Sequence, residues 1–191
     1  MIFHKTKLEG AFVVELTPFR DDRGEFARSF CVDEFENAGL VTDFVQSNIS
    51  TNPAKGTLRG MHFQTGIYAE VKLVRCTRGA IYDVIIDMRP HSPTYREWVG
   101  VELTPQSNRM FYIPVDFAHG FETLTDAVEV TYMVSAPYEK KAACGVRYDD
   151  PAFGIEWPIP VTKISEADAS WPLLAEATMA DVKPSARRVA A

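Results

Sequence analysis

The chain has 191 residues, of which 46% are hydrophobic and 24% charged. This length and composition are typical of a single globular domain with a sizeable buried core. The net charge of −6 argues against nucleic acid as a partner, because binding to a phosphate backbone needs a basic surface, although a local cluster of arginine and lysine could still hold a small anion.

The N-terminus and the cysteines indicate the cellular compartment. The first ten residues contain no apolar core of a signal peptide, and no later run approaches the roughly 20 apolar residues of a membrane span. We therefore expect no association with a membrane. The cysteines, Cys31, Cys76 and Cys144, are widely separated and form no Cys-x-x-Cys pair. This spacing suggests neither a disulfide framework nor a zinc ribbon, and it predicts a reduced, cytoplasmic compartment.

Short strands separated by turns are predicted along most of the chain. The extended patterns cover residues 11–18, 25–30, 44–50, 56–64, 71–76, 80–87, 97–103, 109–113, 120–124 and 127–134. A single short helix is predicted over 33–40, with Gly39 as its natural end. Many short strands at this spacing, with almost no helix, are typical of an antiparallel sandwich or barrel.

The last third of the chain changes character. Residues 149–160 are irregular and rich in proline and aromatic side chains, which predicts a packed loop. Ser165 is the predicted N-cap of a short helix that follows. We assign residues 1–174 to one domain, and we expect the alanine-rich and then basic tail, residues 175–191, to be partly disordered.

His62, Lys72 and Tyr132 are polar residues predicted to face the interior of the fold. In the segment 56–64, pleat alternation sets His62 and Gln64 on one face. Lys72 lies in line with two apolar neighbours of its strand, and Tyr132 with three valines. Inward-facing groups of this kind need a partner or a role. Taken singly, each could still be a structural residue that is satisfied within the core.

Two carboxylates are candidate partners for the histidines. Asp83 faces the apolar side of its strand, and His119 lies in a turn-rich segment before another strand. Asp83 and His119 could bond to each other or to His62. Asp168, in the first turn of the helix capped by Ser165, could orient a histidine or complement the helix dipole, and these two roles are compatible.

The same residues argue against a metal centre. Small β-barrels often bind a metal through a His-x-His pair, but the second position after His62 is Gln64. The inward residue of the next strand is Lys72, whose positive charge would repel a metal ion. His62 and His119 alone remain as nitrogen ligands, so no metal is expected.

These residues belong to a dense series of motifs. In chain order the motifs are Asp22-Arg-Gly24, Phe44-Val-Gln46, Leu58-Arg-Gly-Met-His-Phe-Gln64, Lys72-Leu-Val-Arg75, Gly79, Asp83-Val84, Ser92-Pro-Thr94, Ile113-Pro114, Phe117-Ala-His-Gly-Phe121, Trp157-Pro158 and Ser165-Glu-Ala-Asp168. From about residue 10 to residue 174, the chain resembles the dTDP-4-dehydrorhamnose 3,5-epimerase family. The resemblance implies an all-β fold, a cupin-type antiparallel β-barrel or jelly roll with a short N-terminal helix and short C-terminal helices.

The resemblance also implies a reaction without a cofactor. The enzyme would invert carbon 3, carbon 5 or both of a nucleoside-diphosphate 4-keto-6-deoxyhexose, with dTDP-4-dehydro-6-deoxyglucose becoming dTDP-4-dehydrorhamnose. By resemblance, His62 is the base, Asp168 orients it, Lys72 stabilises the enolate oxygen, and Tyr132 returns a proton from the opposite face. The removal of a proton next to a ketone needs such charge stabilisation, and inversion needs an acid and a base on opposite sides.

The resemblance further implies a nucleotide-sugar substrate and a homodimer. The N-terminal strands would cross to the partner subunit, so that Arg23 would act on the neighbour's ligand. Arginine suits a diphosphate because a guanidinium can donate two parallel hydrogen bonds. The expected substrate contacts are Arg23, Phe26, Arg28, Gln46, Asn48, Arg59, Asp83, His119 and Tyr138.

Two departures from the family pattern leave the nucleotide and the outcome open. Arg28 stands where the family usually has glutamate near the base, and arginine pairs well with the two acceptors of guanine, unless it turns outward to a phosphate. Tyr138 is followed by Glu139 and Lys140 in place of the usual x-Pro. The alternatives are a mono-epimerase or ketoisomerase acting on a GDP- or CDP-linked keto sugar, a non-catalytic sugar-nucleotide-binding barrel, and a metal-dependent cupin oxygenase.

Overall fold

The computed structural model describes residues 1–174, which form two facing β-sheets and a separate hairpin. The strands are β1 (Ile2–Lys5), β2 (Phe12–Glu15), β3 (Phe19–Asp21), β4 (Gly24–Phe26), β5 (Gln46–Asn52), β6 (Leu58–Gln64), β7 (Lys72–Arg78), β8 (Ile81–Asp87), β9 (Trp98–Leu103), β10 (Arg109–Ile113), β11 (Phe117–Thr123), β12 (Val128–Val134) and β13 (Ala143–Gly145). The helices are α1 (Val32–Asn37) and α2 (Glu166–Ala169), with one 3-10 turn at Gly66–Tyr68.

All pairings between these strands are antiparallel. The six-stranded sheet has the order β1-β2-β10-β7-β12-β5, and the five-stranded sheet has the order β13-β6-β11-β8-β9. The strands β3 and β4 form a hairpin that pairs with neither large sheet. The prediction of an all-β, cupin-type antiparallel fold is confirmed.

The main core lies where the two sheets face each other. Alternate residues of β7, β10 and β12 meet alternate residues of β8, β9 and β11, as the period of two along a strand requires. Two further apolar layers cover the outer faces. The helix α1 and its flanking phenylalanines pack on the six-stranded sheet, whereas the segment 146–157 packs on the five-stranded sheet.

Most predicted elements occur close to their expected positions. The predicted helix over 33–40 is α1, whose end is followed by Gly39 with a positive φ of 72°. The alternating pattern over 25–30 yields only a short strand, because β4 ends at Phe26. Ser165 is the N-cap of α2 as predicted, and its side chain accepts a hydrogen bond from the backbone N–H of Asp168.

Two further predictions concern the C-terminal tail and the membrane. The tail predicted to be partly disordered, residues 175–191, lies outside the described residues. Within residues 1–174, no helix has the length and the hydrophobicity that crossing a membrane requires.

Candidate active site

A cavity of about 790 Å³ is lined by strands from both sheets and by the segment around α2. This volume is in the range of a small-molecule site. It brings together most of the side chains singled out from the sequence. Those that line the cavity are His62, Lys72, Tyr132, Asp168, Gln46, Asn48, Arg59, His119 and Tyr138.

His62 and Asp168 form a hydrogen-bonded pair at one side of the cavity. His62 Nε2 donates to Asp168 Oδ1 at 2.7 Å, and the other carboxylate oxygen accepts from the backbone N–H of Gly60 at 3.2 Å. Ser165 fixes the start of α2, which places Asp168 against β6. Because the carboxylate holds the proton on Nε2, the other ring nitrogen of His62 keeps its lone pair and can act as a base.

The carboxylate of Asp168 is kept ionised by its neighbours. Burial by itself would raise the pKa of Asp168, but the hydrogen bond and charge of His62, the N–H of Gly60 and the Ser165 cap together lower it below the ordinary value. An ionised Asp168 can accept from His62 throughout the neutral pH range. It therefore orients the imidazole of His62.

Lys72 and Tyr132 lie on the six-stranded sheet, opposite His62 on the five-stranded sheet. Lys72 Nζ is 3.2 Å from Glu70 Oε1 and donates to the backbone oxygen of His62 at 3.3 Å. Burial raises the pKa of Tyr132, the carboxylate of Glu70 raises it further, and Arg59 opposes this. The cavity thus has a base on one wall, and a cation with a protonated phenol on the other.

His119 is paired with Asp83 and not with Asp168. His119 Nε2 donates to the two oxygens of Asp83 at 2.9 and 3.1 Å, and Asp83 is fully buried beneath it. The register of β6 and β11 sets His119 directly opposite His62. Of the arrangements left open by the sequence, the structure contains the Asp83–His119 pair. Asp83 supports a histidine of the cavity wall and does not itself line the cavity.

A polar strip runs along the edge strand β5. Gln46 and Asn48 line the cavity there, and Asn48 is the register partner of Tyr132 on β12. Arg59 lies nearby and donates through Nε to Asn52 Oδ1 at 2.6 Å. Asn52 thus fixes the guanidinium at the cavity wall.

The residues of the β3–β4 hairpin and of the segment after it that are predicted to bind substrate do not line this cavity. Arg23, Phe26 and Arg28 are exposed and are not among its lining residues. Arg23 forms an ion pair with Asp21, and Arg28 Nη1 donates to Glu34 Oε1 at 3.0 Å. Within one subunit, these three side chains therefore do not reach the His62 site.

Some residues of the site escaped the reading of the sequence. Glu70 precedes β7, so the alternation of a strand does not mark it as facing inward. Its position two residues before Lys72 was the only feature of the sequence that could have placed both side chains on the same face. Trp171 packs edge-on against the His62 ring at 6.4 Å between centroids. Gln64 is expected from the sequence to share a strand face with His62, without a partner or a role of its own. It instead anchors the segment that carries Tyr138.

No three side chains of the His, Cys, Asp or Glu type within the described chain converge on a point that could hold a metal ion. Asp168 and Asp83 are each occupied by a histidine, as described above.

Comparison with known proteins points to one family. The sequence profile of the dTDP-4-dehydrorhamnose 3,5-epimerase family matches residues 5–176. The dTDP-4-dehydrorhamnose 3,5-epimerase of Methanothermobacter thermautotrophicus is 42% identical over 177 residues, covering 91% of this chain and 95% of that protein. The enzyme of the same name from Escherichia coli is 43% identical over 155 residues, covering 81% of this chain and 83% of that protein.

A solved structure agrees with these relatives. The dTDP-6-deoxy-D-glucose-3,5-epimerase of Legionella pneumophila, crystallised with dTDP-4-keto-L-rhamnose, superposes with a TM-score of 0.90 at 34% identity. The match covers 98% of this chain and 99% of that one. The fold and the site define a cupin-type epimerase. The chain belongs to the dTDP-4-dehydrorhamnose 3,5-epimerase family.

Proposed function

We propose that this protein is a cofactor-independent epimerase that converts dTDP-4-dehydro-6-deoxyglucose to dTDP-4-dehydrorhamnose. The observation that carries the proposal is the placement of His62 on one sheet, with Lys72 and Tyr132 on the facing sheet. Inversion at a carbon next to a ketone needs a base on one face and an acid on the other. The family membership supplies the substrate class, a nucleotide-linked keto sugar.

In the proposed reaction, His62 removes the proton from the carbon next to the 4-keto group. The electron pair of the broken C–H bond forms a double bond to the carbonyl carbon, and the π electron pair of the carbonyl group moves onto the ketone oxygen, which becomes negatively charged. Lys72 stabilises this oxygen, because a preorganised cation in a cavity shielded from water has a strong effect on developing charge. The O–H of Tyr132 then protonates the same carbon from the opposite face. Exchange with solvent resets both groups.

Asp168 and His119 have supporting roles in this proposal. Asp168 holds the tautomer of His62 and stabilises the imidazolium that forms after proton removal. His119, fixed by Asp83, adds a second donor to the wall of the sugar site. Tyr138 is exposed at the cavity entrance, where it lies against the sugar when the substrate binds.

The nucleotide binds along β5 and β6 in this proposal. Asn52 holds Nε of Arg59, so the two terminal nitrogens of the guanidinium are available for a bidentate contact with a diphosphate. Gln46 and Asn48 supply amides for the nucleoside. Arg28 is engaged with Glu34, which supports the reading that this arginine leaves the choice of base unchanged.

We further propose a homodimer in which the β3–β4 hairpin reaches the neighbour's site. Phe19 and Phe26 are register partners on this hairpin, and their side chains are 69% and 76% exposed. Exposed apolar pairs of this size are typical of interaction surfaces. Contribution in trans would explain why Arg23, Phe26 and Arg28 lie away from the cavity of their own chain.

The cellular location is also a proposal. We place the enzyme in the cytoplasm, where a protein with three widely spaced cysteines and no Cys-x-x-Cys pair keeps its thiols reduced. Alkylation of intact cells with a thiol reagent, followed by mass spectrometry, should find Cys31 modified. A disulfide at Cys31 in freshly lysed cells would contradict this location.

The proposed reaction is tested by proton exchange in deuterium oxide. Turnover of dTDP-4-dehydro-6-deoxyglucose followed by NMR should place deuterium at carbons 3 and 5 of the product, and His62→Ala should abolish the incorporation. Tyr132→Phe should retain exchange but lose inversion, because the base is intact and the acid is missing. Absence of exchange with any nucleotide-linked keto sugar would overturn the proposal.

The nucleotide is tested separately by thermal stabilisation. A ligand that binds only the folded protein raises the melting temperature by mass action. We expect dTDP to give a larger increase than GDP or CDP at equal concentration. A larger increase with GDP would instead support base recognition through Arg28.

A further inference from the structure

Lys72 has a buried carboxylate partner that the proposed reaction does not use. Glu70 Oε1 lies 3.2 Å from Lys72 Nζ, and the two side chains are only 11% and 10% exposed. A buried ammonium without a counter-charge is strongly unfavourable. Glu70 also lines the cavity, so it fixes the ammonium of Lys72 at the wall that the ketone oxygen must approach.

The second oxygen of Glu70 connects this ion pair to Gln64. The amide nitrogen of Gln64 lies 3.1 Å from Glu70 Oε2, and the backbone oxygens of Tyr68 and Pro137 are 3.1 and 3.2 Å away. The amide oxygen of Gln64 accepts from the backbone N–H of Glu139 at 2.6 Å. Acceptors on one side and a donor on the other determine the orientation of this buried amide.

Gln64 therefore holds both neighbours of Tyr138. Pro137 and Glu139 flank this tyrosine in the chain, and each contributes a backbone group to the Gln64 amide. The side chain of Tyr138 is itself 69% exposed and has little packing to restrain it. Its position at the cavity thus depends on the anchoring of its backbone.

We infer that Glu70 is a positioning residue which, through Gln64, couples the ammonium of Lys72 to the segment that carries Tyr138. The inference rests on the proposed function, because it assigns Lys72 to the ketone oxygen and Tyr138 to the sugar. A displacement of Tyr138 by the sugar is transmitted through two successive hydrogen bonds, at Gln64 and Glu70, and then through the Glu70–Lys72 ion pair to the cation that stabilises the enolate. The position of the sugar ring against Tyr138 and the stabilisation of the enolate oxygen by Lys72 then depend on each other.

Electrostatics give Glu70 a second effect within the same cavity. Its charge adds to the effect of burial in raising the pKa of Tyr132, which keeps the phenol protonated and able to donate. Replacing the carboxylate with an amide of the same shape removes this contribution. A lower pKa of Tyr132 in this variant would show that Glu70 acts through its charge, whereas an unchanged pKa would show that it acts only through its shape.

Two substitutions test separately the Glu70–Lys72 ion pair and the anchoring of the Tyr138 segment by Gln64. Glu70→Gln should lower kcat about tenfold with little change in KM, because the cation loses its counter-charge while the binding groups remain. The alkaline limb of its pH–rate profile should move to lower pH. Gln64→Leu should leave that limb in place and raise the proportion of singly inverted product, because the Tyr138 segment loses its anchor.

A measurement without substrate keeps this test independent of the proposed reaction. Hydrogen–deuterium exchange of the backbone should be faster over residues 135–143 in Gln64→Leu than in the wild type, because the N–H of Glu139 loses its acceptor. Glu129→Gln is the matched control, since Glu129 lies on β12 and its carboxylate accepts from Thr77 instead. It should change neither the pH profile nor this exchange.

The outcomes separate the two hypotheses. A wild-type rate, product ratio and pH profile in Glu70→Gln would overturn the inference while leaving the proposed reaction intact. Unchanged exchange over residues 135–143 in Gln64→Leu would overturn it without reference to any substrate. If the wild type exchanges no sugar proton, the proposed reaction fails. The amide exchange then still decides whether Gln64 anchors the segment that carries Tyr138.

Discussion

Asp168 makes three contacts, and each has a different consequence. The contact with His62 sets the tautomer, the contact with the backbone of Gly60 fixes the carboxylate against β6, and the Ser165 cap fixes its helix. Because these contacts outweigh burial and lower its pKa, Asp168 is ionised at neutral pH. Its contribution to the free energy of unfolding is present above its ordinary pKa and is lost as the pH falls through the folded-state value.

The substitution Asp168→Asn should lower kcat about 100-fold or more and change KM little, because an amide can stabilise the wrong tautomer of His62 and cannot stabilise the imidazolium. Steady-state kinetics on the keto sugar at neutral pH measure this. Glu166→Gln is the control, since Glu166 is an exposed acidic residue of the same helix. Equal activities of the two variants would show that Asp168 does not act on His62.

A second carboxylate, Glu122, is buried away from the cavity. It is fully inaccessible, and neither carboxylate oxygen has a hydrogen-bond partner within the described chain. Burial raises its pKa to about 7, and the backbone of Ile159, which does not reach hydrogen-bond geometry with either oxygen, opposes this rise. The folded state therefore holds this proton more tightly than the unfolded state. The free energy of unfolding is unaffected below the ordinary pKa of 4.5 and decreases as the pH rises to about 7.

Urea unfolding at pH 5 and pH 8 should reveal this dependence. Between these pH values, Glu122→Gln should lose less unfolding free energy than the wild type, by up to roughly 3 kcal/mol from 1.36 kcal/mol per pKa unit. Glu102→Gln, which removes an exposed carboxylate from β9 of the same sheet, should follow the wild type. A wild-type pH dependence in Glu122→Gln would mean that Glu122 is not protonated in the folded protein.

The strands β6 and β11 approach each other closely beside the candidate active site. A Cβ atom at Gly60 would lie 2.5 Å from the Cα of Gly120 and 2.8 Å from the backbone oxygen of His119. Backbone atoms cannot move aside without disturbing the pairing, and the register shifts between His119 and Phe121. Gly60 also has a φ of 127°, which residues with a side chain rarely adopt. The approach places His62 opposite His119.

Two glycine substitutions should separate the steric effect from the backbone effect. Gly24 has the same φ of 127°, but a Cβ atom there would have nothing within 4 Å. Gly60→Ala should reduce the unfolding free energy by about 2 kcal/mol more than Gly24→Ala, through the clash with β11. Urea unfolding of both variants measures the difference. Equal losses would show that β6 can shift without cost.

The whole molecule leaves apolar side chains and a strand edge exposed. Among residues 1–174, the strand β5 pairs only with β12, and Ile49 on it is 69% exposed. The β3–β4 hairpin carries two more exposed apolar side chains, Phe19 and Phe26, which are register partners. Free strand edges and exposed aromatic pairs are usually covered in the native assembly. The proposed homodimer would cover them and complete each site with a hairpin from the partner.

Mixing two inactive variants should test this assembly. Arg23→Ala and His62→Asn should each lose activity alone, whereas a refolded equimolar mixture should recover about a quarter of the wild-type rate, because half of the dimers contain one complete site of two. Size-exclusion chromatography would establish the dimer in each sample. A mixture no more active than its components, in samples shown to be dimers, would contradict the contribution of Arg23 to the partner's site.

The sequence indicated the candidate catalytic side chains better than their partners. His62, Lys72 and Tyr132 were recognisable because a polar group on an apolar strand face stands out from its neighbours. From the sequence, Asp83 and His119 could bond to each other or to His62. The register of β6, β8 and β11 decides between these pairings, and it follows from the tertiary structure alone. Glu70 was overlooked because it lies in a short connection, where alternation carries no information.

Local patterns by themselves determined the all-β class, the cap of α2 by Ser165 and the set of inward polar residues, because each follows from the period of a strand or from hydrogen bonding within one turn. The tertiary structure alone decided which residues meet. Asp168 reaches His62 across more than one hundred residues, and Gln64 joins Glu70 to the Tyr138 segment. Such contacts depend on how two sheets pack and how strands align, which no short stretch of sequence encodes.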